Sequence, residues 1–373
     1  MKKCEFKLEA KCAEARAGEF ETAHGTVKTP IFMPVGTKGS VKLMKPESLE
    51  DVGAQIILGN TYHLYLRPGP EFIRKNYSTL HKFMRWDKPI LTDSGGYQVF
   101  SLSGINNITE KGVQFRSHLD GSKHMITPEK SMEIQRDLGS DIVMAFDECP
   151  SLPASTDQIK KAVDRTYRWA KRCKEVELRD HQFLFGINQG GTELKLRLES
   201  LEGLKELGFS AHAIGGLSVG EKTDEMRELL ENFVPHIPSE TPRYLMGIGK
   251  PLDILHAIKS GVDMFDCVLP TRNARNGQAL TSYGPLNIKN ARFSNDLEPL
   301  DPHCDCYACK NFDRATIHHL YKSKEPLASM LITEHNLRFY LNLTKTARSK
   351  IISGEFDEFY QQFYKSYSEE RYR

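Results

Sequence analysis

Residues 141–148 read DIVMAFDE, and residues 183–189 read FLFGINQ. Both are short, almost continuous apolar runs that end in polar residues, which is typical of parallel strands buried on both faces. Six further runs of this kind occur at 30–36 (PIFMPVG), 55–60 (QIILGN), 89–94 (PILTDS), 211–216 (AHAIGG), 244–249 (YLMGIG) and 263–270 (DMFDCVLP). Eight such runs predict a central sheet of buried strands.

Helical patterns lie between these runs. Residues 127–138 begin with Thr-Pro-Glu, a capping residue followed by proline, and stop at Gly139. Further helices are predicted over 45–52, 156–177, 194–207, 223–233 and 251–259. Strands that alternate with helices predict an α/β protein, and eight of them favour a (β/α)8 TIM barrel. A doubly wound open sheet is the alternative, but it usually has fewer strands.

The chain is longer than a simple barrel, which needs about 250 residues, because it has 373. We predict that 1–270 supply the barrel strands and most of its helices, with a hairpin insertion near 100–125. Residues 271–344 follow the eighth strand and are predicted to form an inserted metal-binding subdomain. Residues 345–373 then provide the final barrel helix, over 345–364, and the C-terminus.

Composition excludes several classes of protein. Apolar residues make up 39% of the chain, the formal charge is +2, and the 27 glycines and 18 prolines are ordinary numbers, which argues against disordered and collagen-like chains. The first twenty residues lack the apolar core of a signal peptide, and no run approaches the roughly 18 apolar residues of a membrane span. Eight cysteines, five of them scattered along a long chain, do not indicate a disulfide framework. We therefore expect a cytoplasmic protein that does not enter a membrane.

Three cysteines form a local cluster, Cys304-x-Cys306-x-x-Cys309. Three thiolates at this spacing in a reducing compartment predict a tetrahedral zinc site. The spacing leaves the fourth ligand open among His303, the pair at 318–319, and His335. We favour His335, because it follows Thr333, a candidate helix cap, and would lie in a first helical turn. With four protein ligands, the predicted Zn²⁺ is structural, since no coordination position is left for a substrate.

Polar residues follow most of the predicted strands. In a barrel the active site lies at the carboxyl ends of the strands, so these residues are expected to converge on one pocket. They are Asp93, Tyr97, Asp147, Cys149, Gln189, Gly215, Gly216, Leu217, Met246 and Asp266. Carboxylates beside glycine N–H groups suit a flat heterocycle with donors and acceptors. Two carboxylates also suit displacement at a sugar carbon, in which one attacks and the other handles the proton.

Each of these residues has an ordinary structural interpretation. An aspartate after a strand often caps the following helix, and glycines there are mostly turn residues. Tyr97 and Met246 are common core residues, and Cys149 and Cys267 are inert thiols unless their pKa is lowered. The prediction of a site therefore depends on the convergence of the set.

Taken together, these motifs resemble the bacterial, queuosine-forming type of tRNA-guanine transglycosylase, a pentosyltransferase. The resemblance runs from about residue 20 to 367 and is carried by DSGGYQVFSL, MAFDEC, GGLSVGE, YLMGIGKP, FDCVLPTRNARNG and the CxCxxC…TEH pattern. It implies exchange of the wobble guanine of a tRNA anticodon for 7-aminomethyl-7-deazaguanine, a step in queuosine biosynthesis. It implies a ping-pong reaction through a covalent enzyme–tRNA intermediate.

The resemblance also assigns roles by position. Asp266 falls at the nucleophile and Asp93 at the general acid/base. Asp147, Gln189 and the amide of Gly216 fall at base-recognition positions, beside Gly215. The backbone carbonyl of Leu217 would accept the aminomethyl group, Tyr97 and Met246 would sandwich the base, and Cys149 fits the bacterial pattern. The metal ligands match Cys304, Cys306, Cys309 and His335, with one Zn²⁺ per subunit of a homodimer.

The tRNA contacts are expected in a local basic region. Residues 271–345 contain ten basic and seven acidic residues, so this segment is more positive than the whole chain. Arg272 and Arg275 follow the nucleophile closely and, with Lys250, are predicted to contact RNA. The sequence departs slightly from the family pattern at 273–274, where Asn-Ala stands in place of the frequent Ser-Gly.

Three other functions fit part of the sequence pattern. An archaeal-type enzyme would be expected to carry further C-terminal RNA-binding domains. A non-catalytic partner subunit would be expected to lack a nucleophile, whereas Asp266 is present. A retaining glycosidase fits two carboxylates on a barrel but explains neither the cysteine cluster nor the glycine-rich pocket.

Overall fold

The computed structural model describes residues 3–102 and 106–367, without the side chains of 100–102 and 106. Parts of the predicted hairpin insertion and of the predicted C-terminal segment therefore lie outside the described residues. The centre of the molecule is a parallel sheet. Its strands, in chain order, are Ile31–Met33, Val35–Gly36, Ile57–Gly59, Ile90–Thr92, Ile142–Met144, Phe183–Asn188, Ala211–Ile214, Arg243–Leu245 and Met264–Asp266.

The two outermost strands of this sheet belong to one predicted strand. Ile31–Met33 pairs with the last strand and Val35–Gly36 with the next strand along the chain, so the sheet closes into a barrel through Pro34. Proline has no N–H to donate to a strand ladder, which explains why the strand is divided there. The predicted barrel of eight strands is confirmed, and its core contains residues such as Ile57, Ile142 and Met264.

Helices connect the barrel strands. They are Pro46–Asp51, Thr61–Leu66, Pro70–Tyr77, Leu80–Met84, Gly96–Leu102, Pro128–Leu138, Thr156–Lys174, Leu194–Leu207, Thr223–Phe233 and Pro251–Lys259, with a 3-10 turn at Val234–His236. The caps predicted for helix Pro128–Leu138 are present. The side chain of Thr127 accepts a hydrogen bond from the N–H of Lys130, and Gly139 ends the helix at φ +70°. None of the described helices is both long enough and apolar enough to span a membrane.

Three small antiparallel sheets accompany the barrel in the described residues, and the smallest pairs Gln278–Thr281 with Gly284–Asn287. Phe6–Cys12, Ala15–Thr22 and Gly25–Thr29 form a sheet at the amino ends of the barrel strands, where buried Arg16 pairs with Asp263 through two hydrogen bonds of 3.0 and 2.9 Å. Sequence patterns did not reveal this sheet. The predicted hairpin region contains Asn106–Ile108, Val113–Arg116 and Lys123–Ile126, which pair in antiparallel order.

The chain after the last barrel strand packs around one long helix. Its elements are Leu269–Arg275, Gln278–Thr281, Gly284–Asn287, a 3-10 turn at Ala291–Phe293, Tyr307–Asn311, Arg314–Lys322, Pro326–Ile352 and Phe356–Ser366. The 27-residue helix Pro326–Ile352 crosses the predicted boundary at 344/345. The single helix predicted over 345–364 was wrong, because this region holds the end of Pro326–Ile352 and then a separate helix.

Candidate active site

A cavity of about 520 Å³ opens at the carboxyl ends of the barrel strands. Every residue that the sequence placed in the pocket lines it: Asp93, Tyr97, Asp147, Cys149, Gln189, Gly215, Gly216, Leu217, Met246 and Asp266. Lys250 and Arg272 lie on the same wall, whereas Arg275 is not among the lining residues. The barrel therefore brings the predicted residues together from six different strand ends.

Asp266 ends the last barrel strand and is held by two donors. The hydroxyl of Tyr244 donates to its Oδ1 at 2.6 Å, and the N–H of Gly247 donates to the same oxygen at 2.9 Å. Burial raises the pKa of this carboxyl above its ordinary value, and the two donors oppose that rise. The second oxygen, Oδ2, takes no part in either bond. A carboxylate fixed through one oxygen has the other one available for attack on an electrophile.

Asp93 follows the third strand but does not cap the helix after it. Asn60 donates to its Oδ2 at 2.5 Å, and the N–H of Thr61 donates to its Oδ1 at 2.7 Å. Burial raises the pKa of Asp93 to about 6, with a further contribution from the charge of Asp266, while these two donors and the side chain of Gln98 act against this rise. A carboxyl with a pKa near 6 can both give and take a proton close to neutral pH.

Asp147 lies at the end of the fourth strand, against Gln189. The Nε2 amide of Gln189 donates to its Oδ2 at 2.7 Å, and Ser94 donates to its Oδ1 at 2.9 Å. Burial raises the pKa of Asp147 to about 6, although both donors lower it. The Oε1 atom of Gln189 is buried and has no hydrogen-bond partner. An unpaired buried acceptor beside a carboxylate is suited to a ligand that brings its own N–H groups.

The part of the wall that lies against Gln189 depends on glycine. Gly216 has φ +65°, and a Cβ there would lie 2.2 Å from Oε1 of Gln189. Beyond it, the N–H groups of Ser218 and Val219 donate to the carboxylate of Glu221. Since a trans peptide points its C=O opposite to its N–H, the carbonyl of Leu217 is directed away from Glu221. No side chain larger than hydrogen fits at Gly216 without moving Gln189.

The predicted flanking residues differ in exposure. Tyr97 is 52% exposed at the mouth of the cavity. Met246, which follows a different barrel strand, is half-buried. Cys149 is buried, and this burial raises the pKa of its thiol to about 12. Cys149 is therefore a neutral wall residue rather than a nucleophile.

Positive charge gathers beside the mouth. Arg272 is exposed and Arg275, one turn further along helix Leu269–Arg275, is half-buried. The pKa of Lys42 is lowered by burial and then by the charges of Arg275, Lys38 and Arg272. Four cations close enough for three of them to lower the pKa of Lys42 form a region that attracts polyanions. Lys38 and Lys42 were not foreseen from the sequence.

Sequence reasoning also missed residues within the pocket. Asn60 could have been found, because it ends the second apolar run in the same way that the predicted residues end theirs. Tyr244 lies inside a strand, where only the direction of its side chain reveals contact with Asp266. Ser94 is adjacent to Asp93 but bonds Asp147.

The cysteine cluster assembles around His335. The Sγ atoms of Cys306 and Cys309 lie 3.7 and 3.3 Å from its Nδ1, and the ligand atoms of these residues and Cys304 all lie within 4.8 Å of one another. The other ring nitrogen, Nε2, is 2.9 Å from the carbonyl of Leu280, which orients Nδ1 toward the sulfurs. Three sulfurs and one nitrogen at these distances fit a tetrahedral metal ion.

The position of His335 in its helix differs from the prediction. The helix begins at Pro326, so His335 lies in its interior rather than in a first turn. Thr333 is not the cap, because its hydroxyl donates to the carbonyl of Ser329 at 2.7 Å within the same helix. Proline at the first helical position is the start signal that was overlooked.

A closed α/β barrel whose strand ends bring three carboxylates to one mouth has the layout of a barrel enzyme. Comparison with known proteins identifies which kind of enzyme it is. The chain belongs to the queuine tRNA-ribosyltransferase family, whose sequence model matches residues 11–369. It is thus a pentosyltransferase, as the resemblance in the sequence predicted.

Curated relatives support this assignment over almost the whole chain. A queuine tRNA-ribosyltransferase of Acinetobacter baylyi is 55% identical over 362 residues, which cover 96% of this chain and 94% of the relative. One from Acinetobacter baumannii is 56% identical, with 96% of both chains covered. One from Halothermothrix orenii is 55% identical over 353 residues, covering 95% and 94%.

Proposed function

We propose that this enzyme exchanges the wobble guanine of a tRNA anticodon for 7-aminomethyl-7-deazaguanine, as a step in queuosine biosynthesis. The observation that carries the proposal is the convergence of Asp93, Asp147 and Asp266 on one cavity in a chain of this family. The exchanged base must leave its stack to reach a barrel mouth, which costs least in a single-stranded loop. The cations near Arg272 support binding of the surrounding phosphates.

The first half of the reaction replaces a C–N bond by a C–O bond. The free oxygen of Asp266 attacks C1′ of the nucleotide, and the C1′–N9 bond breaks with its electron pair on guanine. Protonated Asp93 supplies the proton that this leaving base takes up. The product is a glycosyl ester of Asp266, which keeps the sugar activated after guanine departs.

The second half reverses these events with a different base. The incoming 7-deazaguanine loses its N9 proton to Asp93, and N9 attacks C1′. The ester bond breaks, so Asp266 is restored as a carboxylate and Asp93 is again protonated. Two inversions give overall retention at C1′ and ping-pong kinetics.

Base recognition is assigned to the wall around Asp147. Its carboxylate and the Oε1 atom of Gln189 accept N–H groups of the base, and the amide of Gly216, next to Gly215, donates to the base carbonyl. The carbonyl of Leu217 accepts the aminomethyl group, a role favoured by its direction away from Glu221. Tyr97 and Met246 cover the two faces of the base, and Cys149 contributes to the floor.

We further propose one structural Zn²⁺ per subunit, bound by Cys304, Cys306, Cys309 and His335. With four protein ligands the ion fixes the fold and takes no part in the reaction. Lys250, Arg272 and Arg275 contact the RNA. The chain acts as a homodimer in the cytoplasm, and exposed apolar residues near the metal cluster support a subunit contact there, since Leu297 is 78% and Tyr307 57% exposed.

The test measures incorporation of radiolabelled guanine into tRNA. Wild-type protein should label a tRNA with a wobble guanine and leave unlabelled the same tRNA carrying adenine there. Asp266→Asn should abolish labelling and the covalent tRNA adduct seen on a denaturing gel. Glu148→Gln, which removes a neighbouring carboxylate paired with Arg165 outside the cavity, should retain both. Absence of labelling by the wild type would refute the proposal.

A further inference from the structure

Arg197 is a fully buried arginine with no carboxylate partner. Its side chain is 0% exposed, and within the described part of the chain it forms no ion pair. Arginines are rarely buried unless they are paired. Burial lowers the pKa of Arg197 to about 10, so the guanidinium still carries its charge at neutral pH. The carboxylate of Glu221 acts on this guanidinium electrostatically without forming an ion pair with it in the described structure, so other groups must satisfy its N–H donors.

The guanidinium is satisfied by carbonyl groups instead. Its Nε donates to the carbonyl of Gly191 at 2.9 Å, and Nη1 donates to the carbonyl of Asn188 at 3.0 Å and to the side-chain oxygen of Asn188 at 3.1 Å. Nη2 approaches the carbonyl of Gly216 at 3.5 Å. Asn188 returns a bond, since its Nδ2 donates to the carbonyl of Arg197 at 2.9 Å.

These carbonyls belong to the two segments that present the base-binding groups. Gln189 lies inside the turn Asn188–Gly191, and Gly216 lies on the adjacent strand end. The turn contains Gly190 at φ +147° and Gly191 at φ +56°. Because glycine adopts positive and negative φ about equally readily, these two residues do not fix the shape of the turn by themselves. A Cβ at Gly190 would also lie 2.8 Å from the backbone nitrogen of Arg197, so the turn is packed directly on the helix that carries this arginine.

Arg197 itself is not among the residues that line the cavity. Its donors therefore act on the backbone behind the pocket wall. By binding the carbonyls of residues 188, 191 and 216 on the far side, the guanidinium keeps those oxygens away from the pocket. The side-chain amide of Gln189 and the N–H side of Gly216 then remain directed at the ligand.

We propose that Arg197 is a positioning residue that joins the turn Asn188–Gly191 to Gly216 and so sets the geometry of base recognition. The inference deepens the proposed function, because it assumes that the cavity binds a purine-like base. The planar fork matters because Arg197 reaches the carbonyls of residues 191, 188 and 216 through three different nitrogens, whereas Lys carries all of its donors on one nitrogen. Loss of the fork should weaken base binding more than it slows the chemical step.

The experiment compares Arg197→Lys with Arg243→Lys in the full-length, metal-loaded protein. Arg243 is a matched control because it is also buried, at 4% exposure, and donates to the carbonyls of Ile237 and Gly261 at the opposite end of the barrel. For Arg197→Lys we expect the KM for guanine to rise about tenfold while kcat changes less than about threefold, as expected for loss of binding shared by ground and transition states. For Arg243→Lys the KM should stay within about twofold of the wild-type value.

Deuterium uptake provides a readout that does not need activity. Arg197→Lys should increase exchange at residues 188–191 and at Gly216, whereas Arg243→Lys should not. Should wild-type protein fail to incorporate guanine, the proposed function fails, and this measurement still decides the role of Arg197. Unchanged uptake in both segments would overturn the inference, as would equal KM values for the two variants.

Two further variants cover the case in which Arg197→Lys does not fold. Asn188→Ala keeps the guanidinium but removes its side-chain acceptor and the returning bond, and should raise the KM for guanine in the same direction by about threefold. In Arg197→Ala, millimolar guanidinium should restore guanine binding while urea should not. An unaltered KM in Asn188→Ala, together with no rescue by guanidinium, would also overturn the inference.

Discussion

The hydroxyl of Tyr244 donates a 2.6 Å hydrogen bond to Oδ1 of Asp266, and the N–H of Gly247 reaches the same oxygen. Both donors therefore leave Oδ2 as the reactive oxygen. They also oppose the effect of burial, which raises the pKa of Asp266. The orientation and the ionisation of the proposed nucleophile thus depend on these two donors, of which only the phenol can be removed by a side-chain substitution.

Removal of that phenol gives the first prediction. Tyr244→Phe should lower kcat for guanine exchange about tenfold, because the carboxylate loses its orientation and becomes harder to ionise. The acidic limb of the pH profile should move to higher pH for the same reason. Steady-state exchange from pH 5 to 9 measures both effects. Tyr360→Phe, whose hydroxyl contacts His256 away from the cavity, should leave kcat and the profile unchanged.

Asn60 should set the protonation of Asp93. Asn60→Ala removes a donor to the ionised carboxyl, so the pKa of Asp93 should rise further above about 6. Because the proposed first step needs protonated Asp93, the alkaline limb of kcat/KM for tRNA should move to higher pH, by about one unit. A profile identical to that of wild type would show that Asn60 does not tune Asp93.

The buried carboxylate of Asp147, which is proposed to bind the base, should lower the free energy of unfolding. Its pKa is about 6 in the fold and 3.8 ordinarily, and at 1.36 kcal/mol per unit this corresponds to about 3 kcal/mol. Since the folded state binds the proton more tightly, stability falls as the pH rises from about 4 to about 6. Asp147→Asn should therefore be more stable than wild type above pH 6, with the difference disappearing below pH 4.

This substitution is expected to be accommodated locally. The new Nδ2 amide can donate to Oε1 of Gln189 after that side chain rotates, while the Ser94 hydroxyl continues to donate to the remaining oxygen, Oδ1. Calorimetric unfolding at pH 8 and pH 4 measures the effect, with Glu206→Gln, which changes an exposed carboxylate outside the cavity, as the control that should show little change. Guanine affinity should fall in the same protein, and a lower Tm of Asp147→Asn at pH 8 would contradict the prediction.

The metal cluster should support stability rather than chemistry. Cys306→Ser removes one predicted ligand and should lower Tm by several degrees and reduce bound zinc, because a structural metal contributes directly to folding. Metal content and calorimetry measure these effects. Cys12→Ser, which changes a cysteine near Gly354 far from the cluster in sequence, should retain both zinc and Tm. Full zinc content in Cys306→Ser would show that the ligand set is wrong.

The barrel and most of the pocket were predictable from the sequence for a physical reason. Buried parallel strands need continuous apolar runs, and the topology of a barrel places every residue that ends such a run at the same mouth. The N-terminal sheet escaped detection because one of its strands, Phe6–Cys12, exposes most of its side chains and has no apolar run. Its contacts with the barrel, such as that of Arg16 with Asp263, join residues far apart in the chain.

Some residues of the site were not identified from the sequence for a different reason. Tyr244 and Arg197 act through the direction of a side chain into a neighbouring segment, which no pattern of residue types encodes. His335 was identified by type, yet its helical position was wrong because the start of the helix at Pro326 was overlooked. Lys38 and Lys42 join Arg272 and Arg275 only in three dimensions.

The helix Pro326–Ile352 packs Leu331 and Ile332 beside the cysteine cluster, and Leu337 and Leu341 into the barrel core. Its Asn336, next to His335, accepts from the N–H of Leu280 and donates to the carbonyl of Pro270. One helix thus contributes a predicted metal ligand to the cysteine cluster and apolar side chains to the barrel core. Should the proposed Zn²⁺ be missing when the chain folds, the disturbance would reach the barrel core through this helix as well as the subdomain around the cysteines.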